Sequence, residues 1–152
     1  MFAALCDDDK YITEEVRKLL LEYAKENRLT VNVDEFESGE ELLNSEKNYD
    51  IIVLDYQLGS TDGLTVAKEL RKRNVLSCII FLTSYPQFMI DAFEVNTFRF
   101  LLKPIDKSKF FKAIDDYIKI VDANYPITII QNKEFKKINS NEICYIEADG
   151  KY

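Results

Sequence analysis

The chain has 152 residues, 47% of them hydrophobic and 31% charged, with a net charge of -7, the size of one globular domain with room for an appendage. It contains no histidine, which excludes His-based acid-base catalysis and His-ligated metals, so any metal would be held by oxygen. The acidic balance argues against free nucleic-acid binding, and no apolar run reaches the ~20 residues needed to cross a bilayer.

In chain order, "MFAALC" reads as a buried strand ending in three acids, Asp7, Asp8 and Asp9. "ITEEVRKLLLEYAKEN" follows as a helix with Ile12, Val16, Leu19, Leu20 and Tyr23 on one face. "LTVNVDEF" alternates like a strand, and "SGEELLNSEKN" is a short helix capped by Ser38. "YDIIVLD" is a continuous apolar strand ending at Asp55, "QLGSTDG" a loop, and "LTVAKELRKRN" a helix whose "RKRN" end is expected to be solvated. "SCIIFLTS" is a buried strand, and "PQFMIDAFEVN" is expected as one helix opened by Pro86. "TFRFLLKP" is the fifth strand. "DKSKFFKAIDDYIKIVDAN" closes the series as a helix with Phe110, Ile114, Tyr117, Ile118 and Val121 on one side and the acids 115 and 116 on an exposed face.

Five apolar strands, each followed by a helix, predict an α/β domain: a flavodoxin-like, doubly wound, five-stranded parallel sheet with helices on both faces. This domain spans residues 1–122, with a linker at 123–126. Residues 127–152 change character, with three short strand-like pieces, "ITIIQ", "FKKIN" and "EICYIEA". About 26 residues cannot build a core of their own, so they read as the front of a second domain. Cys6, Cys78 and Cys144 lie far apart in apolar runs. They point to buried thiols in a reducing cytoplasm, as does the lack of a basic region followed by a long apolar core at the N-terminus.

In a parallel sheet, the residues that end successive strands gather at one edge, where ligands bind. Asp7, Asp8, Asp55, Thr83 and Lys103 meet this way. Carboxylates from neighbouring strands make an oxygen-rich pocket for a hard cation, and Mg²⁺ suits a site that works with phosphate oxygens. Asp55, at the tip of a buried strand, is the natural nucleophile toward phosphorus. The Lys103 ammonium and the Thr83 hydroxyl can each take a phosphoryl oxygen. The set contains no dedicated base.

"CDDD", "IIVLDYQLGSTDG", "FLTS" and "FLLKP", in this order and spacing, resemble the receiver domain of two-component response regulators over about residues 1 to 122. The resemblance implies that Asp7 and Asp8 are the acidic metal pair, that Asp55 is the phosphoacceptor, and that the carbonyl of Gln57 is a further Mg²⁺ ligand beside Asp55. Thr83 would be the switch hydroxyl, Lys103 the family's lysine, Phe100 the aromatic switch, and Lys103-Pro104 a cis peptide. Gly59 stands where the family usually carries proline, Phe100 where it commonly carries tyrosine, and Asp9 at its variable third acid. The tail, above all "EICYIEADGKY", resembles the opening of a LytTR-type DNA-binding domain. The resemblance implies DNA binding by a longer protein, while the tail's four basic residues against four acids lack the basic surface that phosphate contacts need and argue that this chain does not bind DNA.

The implied function is a switch. A sensor histidine kinase would phosphorylate Asp55, and the face made by the fourth helix, fifth strand and fifth helix would form a homodimer that controls transcription. Two other readings stand beside it. One is an aspartate-nucleophile phosphatase, whose usual second aspartate is Gln57 here; the other is a phosphorylation-independent docking module.

Overall fold

In a computed structural model, side chains are described for residues 1–59, 61–73, 75–92 and 94–121, and backbone also for residues 93, 122, 127–131 and 134–138. The predicted linker 123–126, Cys144 and the third strand-like piece of the tail lie outside the described residues. Two compact units divide the chain, Met1–Ala113 and Ile114–Tyr152. Within the second, residues Ile127–Gln131 and Glu134–Ile138 pair as antiparallel strands.

The first unit is built on β1 (Phe2–Cys6), β2 (Asn32–Phe36), β3 (Ile51–Leu54), β4 (Cys78–Thr83) and β5 (Arg99–Leu102). All pair in parallel, in the order β2-β1-β3-β4-β5. This is the doubly wound sheet predicted from the run of apolar strands. Every residue of β3 and β4 is buried, which is why both read as continuous apolar runs: a central parallel strand is covered on both faces. Fully burying one such Ile or Leu contributes about 1.5–3 kcal/mol.

The helices are α1 (Lys10–Glu26), α2 (Gly39–Asn44), α3 (Gly63–Lys72), α4 (Met89–Ala92) and α5 (Lys107–Asp122). Side-chain oxygens hold the starts of α1, α2, α3 and α5. Asp9 accepts from the Tyr11 N–H, Ser38 from Glu41, Asp62 from Thr65 and Asp106 from Ser108 and Lys109. Val16, Leu20 and Tyr23 of α1 are buried as the helical spacing requires. None of the helices among the described residues is long and apolar enough to cross a membrane.

Four local expectations are corrected. "PQFMIDAFEVN" is not one helix: 3-10 turns at Pro86–Phe88 and Phe93–Val95 flank the single α-helical turn of α4. "QLGSTDG" is not wholly loop, because Gln57–Leu58 pairs antiparallel with Thr61–Asp62. Arg71, expected in water, is half-buried and donates to the carbonyls of Val75, Val95 and Asn96, tying the end of α3 to the residues that precede β5. Asp115 and Asp116 are half-buried.

Candidate functional site

Register places the acids. Cys6 pairs with Leu54 across β1 and β3, so the next residues, Asp7 and Asp55, leave the sheet side by side. The Asp55 N–H donates to the Cys6 carbonyl at 2.9 Å, and the Asp7 N–H to Phe36 at 3.2 Å. Thr83 ends β4 opposite Leu102, which brings Lys103 to the same edge. All these residues belong to the first compact unit.

Lys103 Nζ lies 2.7 Å from Asp7 Oδ2 and 2.8 Å from Asp55 Oδ2. Both carboxylates are buried, whereas Asp8 is exposed. One carboxylate oxygen from each of Asp7, Asp8 and Asp55 lies within 4.8 Å of the others. The group borders an open cleft of about 650 Å³, also lined by Tyr56, Gln57, Gly59, Tyr85 and Lys103. Burial pushes the Asp7 carboxyl above its ordinary range, against the pull of Lys103 and of the Asp9 N–H. Burial disfavours the Lys103 ammonium, but its bonds to Asp55 and Asp7 outweigh this and hold it above its ordinary value. Three carboxylates facing one ammonium leave two negative charges uncompensated, and every donor is a hard oxygen. The set therefore fits Mg²⁺, with Asp7, Asp8 and Asp55 to hold it.

The remaining predicted residues are placed as follows. Gln57 is exposed and lines the cleft. Thr83 is fully buried, and its hydroxyl accepts from the Tyr85 N–H at 3.3 Å, so it is not among the residues that line the cleft. Phe100 is half-buried, 6.3 Å from the Phe81 ring at a 40° tilt. Lys103-Pro104 is cis. Asp9 also lines the cleft, and its side chain caps α1 by accepting from the Tyr11 N–H.

Gly59 has φ +62°, a left-handed conformation that glycine adopts without cost and proline, fixed near -65°, does not. Gly63 is required for space: a Cβ there would lie 2.0 Å from the Asp55 carbonyl oxygen. Cys6, just before Asp7, is buried and its thiol is pushed up to about 12, first by desolvation and then by neighbouring acids. It is chemically quiet.

Sequence reasoning missed Tyr56 and Tyr85. The Tyr56 N–H donates to Asp55 Oδ1 at 2.6 Å, and its ring stacks on Phe88 with centroids 3.9 Å apart and planes 3° apart. Two aromatics 32 positions apart in irregular segments leave no periodic signal. Only the position of Tyr56 next to Asp55 marked it.

A parallel sheet in this strand order, with an acid cluster and a lysine at its carboxyl edge, defines the receiver class of signalling domain. Residues 3–115 match the response regulator receiver domain family, and the chain belongs to it. It is 34% identical over 120 residues to the sensory transduction protein LytT of Bacillus cereus, covering 78% of this chain and 48% of that protein. It is 30% identical over 153 residues to the transcriptional regulatory protein LytR of Staphylococcus aureus, covering 99% and 60%. The chain thus spans about half the length of the LytT proteins it matches. The response regulatory domain of mrkE from Klebsiella pneumoniae shares the fold with TM-score 0.72 at 21% identity, covering 80% of this chain and 98% of that one. The beryllofluoride-activated DrrB receiver domain gives 0.65 at 22%, covering 78% and 97%. The chain is therefore a receiver domain of the two-component type, a family of phosphoacceptor switches.

Proposed function

We propose that Asp55 accepts a phosphoryl group from the phosphohistidine of a sensor kinase. The observation that carries this reading is the Lys103 ammonium shared between Asp55 and Asp7 at 2.8 and 2.7 Å, at the mouth of an open acidic cleft. An Asp55 carboxylate oxygen bonds to phosphorus as the phosphorus–nitrogen bond of the donor breaks. The donor imidazole keeps the electron pair and takes its proton from water. A carboxylate nucleophile has no proton to lose, so a site without a base suffices. Lys103 then turns part of its charge from Asp55 to the arriving phosphoryl oxygens. Bound Mg²⁺, held by Asp7, Asp8, Asp55 and the Gln57 carbonyl, would supply the remaining charge neutralisation.

The switch follows as part of the same proposal. The Thr83 hydroxyl leaves the Tyr85 N–H for the phosphoryl group, and Phe100 turns into the space vacated. Exposed Ile90 on α4 and Leu102 on β5 support a face that pairs two copies. In the longer LytT- and LytR-like proteins this pairing would set DNA binding. Gln57, exposed where an aspartate phosphatase would carry its acid-base, argues against rapid turnover of phosphate esters.

Intact mass after incubation with acetyl phosphate and Mg²⁺ tests the proposal. The wild-type chain should gain one phosphoryl group and Asp55→Asn none; equal uptake by both would overturn it.

A further inference from the structure

We infer that Tyr56 is a positioning residue that couples the Asp55 carboxylate to the segment 86–92 through its stack on Phe88, an inference that rests on Asp55 being the acceptor. The backbone of Tyr56 is held at both ends. Its N–H donates to Asp55 Oδ1 at 2.6 Å, and its carbonyl accepts from the Gly63 N–H at 2.6 Å. Gly63 packs against the Asp55 carbonyl too closely to admit a Cβ. This stretch of chain has no slack, so a change at the carboxylate reaches the Tyr56 ring.

The ring lies flat on Phe88, 3.9 Å between centroids, and tilted against Phe81 at 6.4 Å. Phe81 is a fully buried residue of β4, in the middle of the sheet. Phe88 belongs to a segment with few anchors: one 3-10 turn, one α-helical turn and another 3-10 turn. Ala92 and Val95 are buried, but Met89 is 39% exposed and Ile90 78%. Its far end is held by the Thr97 hydroxyl, which donates to the Ala92 carbonyl at 2.6 Å, and just beyond it Arg71 donates to Val95 and Asn96 at 3.0 and 3.3 Å. A segment clamped at one end and stacked at the other has two arrangements available, docked and undocked at Phe88.

Phosphorylation changes the Tyr56 bond whichever oxygen reacts. If Oδ1 bonds to phosphorus, the N–H loses its acceptor. If Oδ2 reacts, Oδ1 becomes the carbonyl of an acyl phosphate and accepts more weakly. Tyr56 shifts and Phe88 follows. This route uses neither the Thr83 hydroxyl nor Phe100. Linkage makes it reciprocal: a segment already undocked changes the affinity of the cleft for a phosphoryl mimic.

Amide hydrogen exchange on the 152-residue chain, with and without beryllofluoride and Mg²⁺, tests this in wild type, Tyr56→Phe and Tyr56→Leu. Without the probe, Tyr56→Leu should exchange over 86–92 roughly 2- to 12-fold faster, the worth of one stacked aromatic pair. Tyr56→Phe should match wild type, and β3 and β4 should stay protected in all three. With the probe, wild type and Tyr56→Phe should change their exchange over 86–92. Tyr56→Leu should bind the probe, by its ¹⁹F signal, with little further change there. Phe88→Leu, which breaks the stack from the other side, should reproduce that pattern even if Tyr56→Leu loses protection in β3. Wild-type exchange and wild-type response in Phe88→Leu or a folded Tyr56→Leu would overturn the coupling. If wild type itself does not bind beryllofluoride, the acceptor reading fails, while the probe-free comparison still decides whether the stack holds the segment.

Discussion

On the side of β1 and β3, the cleft around Asp55 is walled by residues whose places the sheet fixes. Asp7 and Asp55 follow paired, buried strand ends, and Lys103 already reaches both. Behind the cleft, past the ends of β4 and β5, the structure is less regular. Thr83 is turned to Tyr85, Phe100 is half-buried, and the segment 86–95 holds itself by single turns and a few side chains. The contrast separates two tasks. Phosphoryl transfer needs charges held in place before the donor arrives. A switch needs an element whose two arrangements differ by little, and such elements come from the least stable part of a fold.

The largest effect expected on this contrast is at the fixed carboxylates, which Lys103 reaches from the end of β5. Replacing Lys103 with Ala removes the cation shared by two buried carboxylates. Phosphoryl uptake from acetyl phosphate should slow by about 10²–10³-fold, the range for losing one positioned group that stabilises developing charge. A rate within a few-fold of wild type, followed by intact mass, would show that the fixed carboxylates do not need the prearranged ammonium.

Next in size is a matched pair of truncations. Ile52, 1% exposed in β3, should cost about 2–5 kcal/mol as Ile52→Ala. Ile90, 78% exposed in α4, should stay within about 0.5 kcal/mol as Ile90→Ala. Urea unfolding measures both. Ile90→Ala should also weaken phosphorylation-dependent dimerisation, read by light scattering. Similar unfolding costs at the two positions would erase the distinction between the two regions.

The smallest effect concerns pH. The folded Asp7 carboxyl titrates above its ordinary value of 3.8 because it is buried. A raised value means that its contribution to stability is present below the ordinary value and is lost as pH climbs through the raised one. In chelator-treated buffer at pH 7, Asp7→Asn should therefore unfold at a higher urea concentration than wild type, with the gap closing below about pH 3.8. Added Mg²⁺ should raise the wild-type midpoint and leave the variant unchanged. A variant less stable than wild type at pH 7 would mean that the Lys103 contact outweighs burial.

The strand ends were legible in the sequence and the segment 86–95 was not, for one physical reason. Ile51–Leu54 and Cys78–Thr83 are apolar throughout because both faces of a central strand are covered, and their ends then place Asp55 and Thr83 by topology alone. Asp7 and Lys103 follow from the same rule. "PQFMIDAFEVN" has the apolar spacing of a helix, yet a helix this short is costly to nucleate and lasts only where packing holds it. Here packing holds Ala92 and Val95 and, through the Tyr56 stack, Phe88. Arg71 reads as one more surface cation until its three carbonyl partners, brought near by the fold, are seen. The Tyr56–Phe88 stack joins two irregular segments, and no local pattern announces such a contact.

Borohydride reduction of the phosphorylated wild-type chain, followed by digestion and peptide mass mapping, tests the central claim most directly. Reduction of an aspartyl phosphate leaves homoserine. Homoserine is expected at position 55 and aspartate at positions 7, 8 and 9. An intact Asp55 in a chain that carries the phosphoryl group elsewhere would contradict it.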